Sequence, residues 1–361
     1  MAQRNQKTNA VPIVNIGQLE KLIDLAIMAQ RPIMITGAPG IGKTAAPTMY
    51  CSSKGYPLMV IHPVVSDPTD AKGMPCLITD PDTGEQSAVF LPFNDLQVMI
   101  DYPHDAELPM VVFIDDLGQA PPMVQAAWMQ ILLARAINHH KISPMVHFIA
   151  ATNRKEDRAG VKGILEPVKS RFAAIVELQP SLDEWIGFAL SSRLYPTIAP
   201  FIRFRPSALH AFEPTAGMEQ SPCPRTWEML SDMLYAYDQS NTDDPILRNA
   251  LVQGAVGEGV TGEFLAFERV HKDLPDLDAI IKDPDIFICP DISKLSVLYA
   301  IAGGVAIRCT KQNVGRILKI AAKLPQEYAA SMVNDCLHVC PEIRTNEQFT
   351  DWCVENADIF L

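Results

Sequence analysis

Apolar residues follow two different rhythms along this chain. Over the first half, short unbroken apolar runs alternate with stretches of helical spacing. Leu19, Leu22, Ile23, Ala26 and Ile27 share one helix face, so Gln18 to Gln30 is expected as an amphipathic helix that stops at Arg31-Pro32. After it come the runs Ile33 to Thr36, Leu58 to His62, Met110 to Asp116, Val146 to Asn153 and Ala173 to Glu177. Each is short and apolar on consecutive positions, the pattern of strands covered on both faces in a parallel sheet. Gln119 to Ala136, with Pro121-Pro122 near its start, reads as a helix between two of them. The pattern predicts an α/β fold built on a five-stranded parallel sheet.

Two regions depart from that rhythm. Between Pro63 and Pro109, Cys76 to Thr79 and Ser87 to Phe90 flank the turn-forming Asp80-Pro81-Asp82-Thr83-Gly84-Glu85. This predicts a β-hairpin at about 74–91, inserted between strands and projecting as a functional element rather than joining the core. Beyond Pro180 the strand signals fade. Helices are expected over Ser181 to Ser191, with Ser181 and Glu184 as a capping box, then Pro206 to Phe212, Arg225 to Tyr237, Pro245 to Val256 and Gly262 to Val270. Lys272 to Pro290, rich in Asp and Pro, reads as a linker. Ile292 to Ile307, Asn313 to Leu324, Glu327 to Val339 and a short helix from Asn346 close the chain. The expected organisation is a flexible tail at 1–12, an α/β domain at 13–180, a helical domain at 181–270 and a helical C-terminal region at 271–361.

Composition changes this picture little, and charge somewhat more. The balance is that of an ordinary globular protein, and no apolar run reaches the roughly 18 residues of a membrane span. Met1 to Ala10 is polar and carries no apolar signal segment, so a cytoplasmic location is expected. The net charge of −12 argues against nucleic acid as a partner, because such binding needs Lys and Arg to displace counterions. The cysteines form no C-x-x-C pair and read as small buried residues of a reducing compartment. Cys336, His338 and Cys340 on one helix leave a zinc site as an alternative.

The chemistry concentrates at Gly37-Ala38-Pro39-Gly40-Ile41-Gly42-Lys43-Thr44, which fits G-x-x-x-x-G-K-[ST] between a predicted strand and a predicted helix. The glycines let the backbone point several N–H groups at one anion, and the helix N-terminus adds partial positive charge. Lys43 would reach the β- and γ-phosphates of ATP, and the Thr44 hydroxyl would be a ligand of Mg²⁺. The run ending in Asp115-Asp116 delivers two carboxylates to the edge of the sheet where open α/β folds bind ligands. Asp115 is the expected acid on the Mg²⁺ side, and Asp116 the residue that orients or deprotonates the attacking water. Asn153, at the end of another strand, can hold that water or touch the γ-phosphate. The following segment carries Arg154, Lys155, Arg158, Lys162, Lys169 and Arg171, a partly basic face near a phosphate site.

Together these signals resemble the AAA+ ATPases, and within them the MoxR-like group, over roughly residues 13 to 237. Gly37 to Thr44 resembles Walker A, Val111 to Asp116 resembles Walker B, and Thr152-Asn153 matches the sensor-1 position. Ser170-Arg171-Phe172 looks like the arginine-finger site, and Pro224-Arg225 looks like sensor 2 in a helical lid. Gln119-Ala120-Pro121-Pro122 and the hairpin heralded by Asp70-Ala71-Lys72-Gly73 are similar to features of the MoxR-like group, whose helix-2 insert the hairpin would be. The resemblance implies an ATP phosphohydrolase acting as a homo-oligomeric ring, with a hexamer expected. Arg225 would act from the lid and Arg171 in trans, and the ring would remodel a partner that carries a von Willebrand factor A domain. Lys169 is the fallback for Arg171, and the competing role for Arg171 is a surface pair with Glu177. One departure stands out: the family has Glu where this chain has Asp116. That shortening favours an alternative in which nucleotide binding assembles a scaffold and hydrolysis is incidental. A nucleic-acid motor is disfavoured by the charge, and a GTPase by the lack of an N-K-x-D stretch.

Overall fold

The computed structural model describes residues 11–157, 163–212 and 217–356. Met1 to Ala10 of the expected tail, and Arg158 and Lys162 of the basic segment, lie outside the described residues. The chain divides at Gln179/Pro180 into two compact units.

The first unit runs β1 (Ile13–Val14), α1 (Ile16–Ala29), β2 (Ile33–Gly37), α2 (Ala45–Lys54), β3 (Leu58–Ile61), β4 (Met74–Thr79), β5 (Gln86–Leu91), α3 (Asn94–Asp101), β6 (Met110–Ile114), α4 (Pro122–Ala134), β7 (Ala136–Ile137), β8 (His140–Lys141), β9 (Val146–Asn153), α5 (Glu166–Lys169) and β10 (Ala174–Leu178). Six strands form one parallel sheet in the order β1-β10-β2-β9-β6-β3. The central strands β2, β6 and β9 are buried at every position because both faces are covered. Ile33 and Ile35 of β2, Val111 and Phe113 of β6 and Ile149 and Ala151 of β9 pack with Leu19, Ile23 and Tyr50. Met34, Val112, Ile114, Phe148 and Ala150 point the other way, onto Leu96, Trp128 and Ile131. Each fully buried aliphatic or aromatic side chain contributes about 1.5–3 kcal/mol, and these two layers hold the strand ends in register.

The sheet has one strand more than the five expected. β1 adds two residues to the edge beside β10, with the Glu177 N–H donating to the Pro12 carbonyl at 2.8 Å. So short a strand carries no period of its own. The inserted hairpin is a separate antiparallel pair, with Met74 opposite Leu91 and Thr79 opposite Gln86. Leu77, Phe90 and Leu91 are exposed on it.

The second unit is helical: α6 (Leu182–Ser191), α7 (Ile198–Phe204), α8 (Pro224–Gln239), α9 (Pro245–Val256), α10 (Glu258–Lys272), α11 (Leu277–Lys282), α12 (Leu295–Ile307), α13 (Val314–Ala321), α14 (Gln326–Val339) and α15 (Glu347–Glu355). Phe201 centres one core, its ring 5.2 Å from Phe264 and 5.7 Å from Trp227. Leu298, Ile301, Ile317, Met332 and Val333 belong to another. Helices on the two sides of residue 271 are tied together, because Arg203 on α7 donates to buried Asp335 on α14 at 3.0 Å.

Three local expectations are corrected here. The helix expected from Pro206 lies before it, as α7, and Pro206–Ala208 is only a 3-10 turn. Arg205, at φ −130° and ψ 73°, has left the helical region, which proline disfavours for the residue before it, and this ends α7. The segment read as a linker is packed, because Leu277, Ile280 and Ile281 are buried at helical spacing and Phe287 is buried beyond them, among its Asp and Pro residues. Ser181 is the N-cap of α6, but its side chain makes no capping hydrogen bond.

Candidate functional site

Parallel register builds the site. Gly37 ends β2 directly opposite Asn153, which ends β9. Next in the sheet, β6 stops at Ile114, opposite Ala150, and the Asp115 N–H donates to the Ile61 carbonyl of β3 at 2.8 Å. Gly37, Asp115 and Asn153 thus share the C-terminal edge of the sheet. Gly37 has no room for a side chain: a Cβ would lie 2.5 Å from Ile41 Cδ1 and 2.9 Å from the Leu178 carbonyl oxygen. Gly42 differs, with φ +98° and, among the described residues other than its chain neighbours, no atom within 4 Å of where a Cβ would stand. That opening over the loop is the kind of cradle an anion needs.

Lys43 is 7% exposed, and its ammonium donates to the Gly37 carbonyl at 3.0 Å, the Ala38 carbonyl at 2.7 Å and Asn153 Oδ1 at 2.6 Å. Because an ammonium only donates, the Asn153 amide must turn its oxygen to Lys43 and its Nδ2 elsewhere. Nδ2 donates to Asp116 Oδ1 at 3.2 Å. Asn153 therefore links the cation to the second acid. Asp116 is half-buried in the left-handed region at φ 52°, with its N–H on Asp115 Oδ1 at 3.0 Å. Thr44 is the N-cap of α2, yet its hydroxyl does not cap the helix and donates to Asp115 Oδ2 at 2.8 Å. A hydroxyl and a carboxylate in contact are the hard oxygen donors that suit Mg²⁺. This site can bind an anion over the loop, hold a hard cation beside it and carry a carboxylate one residue further on.

Other residues named from the sequence lie elsewhere. Arg171 follows α5 at the N-terminal edge of the strands, where the Ala173 N–H donates to the Pro32 carbonyl at 2.8 Å. Four residues of β2 separate that edge from Gly37, about 13 Å along the strand. Arg171 Nη1 donates to Ser170 Oγ at 2.9 Å, and its buried Nε has no partner among the described residues. Glu177 does not pair with Arg171. It accepts from Arg154 Nη1 at 3.0 Å, and Arg154 also bonds buried Asp157. Lys169 pairs with Glu166 on the surface. Arg225 is exposed in the first turn of α8, in the second unit. Cys336 is buried with its thiol on Cys309, and no cluster of three or more His, Cys, Asp or Glu side chains is arranged to hold a metal among the described residues. Sequence reasoning passed over Gln125, a buried polar residue of α4 that in the bare sequence looks like any helix-surface glutamine.

The first unit is an α/β domain whose six-stranded parallel sheet carries the Gly37–Thr44 loop at its C-terminal edge, and a helical region follows it. No protein-family model matches the chain, and no curated protein matches it. Among solved structures the chain is similar to a point mutant of RuvB from Thermotoga maritima, at 16% identity, with 80% of this chain and 82% of that one covered and a TM-score of 0.41. It is similar to NtrX from Brucella abortus in complex with ADP, at 13% identity over 96% of this chain and 68% of that one, with a TM-score of 0.38. A putative ATPase from Cytophaga hutchinsonii matches at 14% identity over 81% and 74% of the two chains, with a TM-score of 0.30.

Proposed function

We propose that this chain is a Mg²⁺-dependent ATPase of AAA+ type that works as a homo-oligomeric ring, a hexamer by resemblance, and remodels a partner protein. The observation that carries the reading is the pair of contacts at the strand ends, Lys43–Asn153–Asp116 and Thr44–Asp115. Lys43 supplies the cation for the β- and γ-phosphates of ATP, and the loop backbone from Gly37 to Thr44 supplies donors. Thr44 and Asp115 would hold Mg²⁺, which neutralises phosphate charge. Asp116 orients the attacking water, with Asn153 beside it. Arg171 of a neighbouring copy stabilises charge that develops in transfer, and Arg225 acts from the helical unit. Catalysis of this kind is mostly positioning and charge stabilisation. The MoxR-like resemblance alone points to a partner with a von Willebrand factor A domain.

A second reading, a nucleotide-gated scaffold with slow turnover, is favoured by Asp116 itself. Its carboxylate is one methylene short and already accepts from Asn153, and a misplacement of about 1 Å can cost about 10²-fold in rate. Phosphate release measured with and without partner separates the two.

Lys43→Ala tests the shared premise. Loss of a charge-assisted contact of about 1.5–3 kcal/mol weakens binding about 10- to 100-fold. Titration calorimetry with ATP and Mg²⁺ is expected to show that drop. Equal affinity in the variant and the parent chain would remove the phosphate-loop assignment.

A further inference from the structure

Gln125 is fully buried on α4, and the site described above makes no use of it. Its amide contacts three backbone groups. Nε2 donates to the Ala120 carbonyl at 3.1 Å and to the Gly163 carbonyl at 3.1 Å, and Oε1 accepts from the Leu165 N–H at 3.1 Å. Ala120 closes the turn that begins at Asp116. Gly163 to Leu165 is the approach to α5 and then Arg171. Two more contacts tie these segments. At Gly118 a Cβ would lie 2.2 Å from Thr152 Oγ1 and 3.3 Å from Ile164 Cγ1, so the turn is pressed against both. At Gly163, φ +96°, a Cβ would lie 2.5 Å from Lys155 Cε, just beyond Asn153.

We propose that Gln125 is a positioning residue that couples the phosphate-loop site to Arg171. The contacts form an unbroken path: Lys43 to Asn153, Asn153 to Asp116, the Asp116 turn to Gln125, and Gln125 to the approach to Arg171. A phosphate that draws Lys43 away takes a donor from Asn153 and changes its hold on Asp116. The turn, held on Thr152 and Ile164, moves as one piece with the 163–165 backbone. Occupancy of one copy's site then sets how that copy presents Arg171 to the next. The role rests on the nucleotide-site reading given above.

The test combines hydrogen–deuterium exchange with steady-state phosphate release on the full chain. In the parent chain, ATP and Mg²⁺ are expected to slow exchange at residues 37–44 and to change it at 163–171. In Gln125→Met the first response stays and the second is lost. Its kcat falls about 2- to 30-fold, the range of a coupling of this kind, while KM holds. Arg171→Ala combined with Gln125→Met falls no further than Arg171→Ala alone. A merely structural loss of Gln125 would instead lower the double variant by the product of the two single effects, and that result overturns the coupling. So does a full response at 163–171 in Gln125→Met. If that variant fails to fold by circular dichroism, Ile164→Ala, which loosens the same turn from the other side, must lose the same response for the coupling to stand. No response at 37–44 in the parent chain overturns the nucleotide-site reading and the coupling with it, whereas failure confined to 163–171 overturns the coupling alone.

Discussion

Asp116 meets two demands at once. Its backbone sits at φ 52°, a region that Asp and Asn enter more readily than longer side chains, because their short polar arms bond locally. Its carboxylate meets Asn153 and, as proposed, the attacking water. Glutamate would extend the arm toward the water but fit the left-handed backbone less well, at a cost of about 1 kcal/mol. Asp116→Glu is therefore expected to keep ATP affinity, raise the hydrolysis rate and lower the unfolding temperature slightly. Asp116→Asn, which suits the backbone but cannot take a proton, is expected to keep affinity and lower the rate. Phosphate release and calorimetry on the three forms decide the matter, and equal rates in all three would leave Asp116 no part in orienting water.

At the scale of elements, β9 carries both the site and a pH dependence. His147 lies within it, 6% exposed, with Nδ1 unpartnered among the described residues, and burial together with nearby Arg135 pushes its pKa down to about 4. The unfolded chain takes up this proton near pH 6.5, while the folded chain resists until about pH 4. Stability from this group is whole above about pH 6.5 and is lost as pH falls toward 4. His147→Leu removes the titration, so its unfolding temperature is expected to fall less than the parent's over that window. Equal slopes in thermal scans from pH 7.5 to about 4 would rule this out. β9 also shows what a sequence can disclose. Its run, like those of β2 and β6, was legible because strands buried on both faces are nearly continuous in apolar residues, His147 notwithstanding. Two-residue β1 was not, and neither was α7, whose end is set by the residue before Pro206. The loop and both acids announce themselves by motif. The contact from Lys43 to Asn153 spans 110 positions and depends on the register of β2 with β9, which no local pattern encodes. Gln125 was missed for the same reason, since all that distinguishes it is its burial.

At the scale of the whole molecule, the parallel sheet separates what hydrolysis would need. The Gly37–Thr44 loop lies at the ends of the strands and Arg171 at their beginnings, so within the first unit the two stand at opposite edges of the sheet. A second copy can supply it. Copies that each carry a net charge of −12 repel one another in general, so a cation offered to a neighbour's phosphates would help an interface form. The Glu177 pair that would have made Arg171 an ordinary surface residue is taken by Arg154. An arginine supplied in trans contributes about 10³–10⁵ in rate, and Arg171→Ala is expected to lose activity on that scale while still binding ATP. Mixing isolates the action between copies. Arg171→Ala and Lys43→Ala should each be inactive alone. If copies assemble as the proposed ring, mixing joins an intact phosphate loop to an intact Arg171 at some interfaces, and part of the activity should return. Phosphate release at the parent rate from Arg171→Ala would end the assignment of this residue. An inactive Arg171→Ala that mixing does not restore, with mixed rings demonstrated by native mass spectrometry, would instead show that Arg171 does not act across the interface.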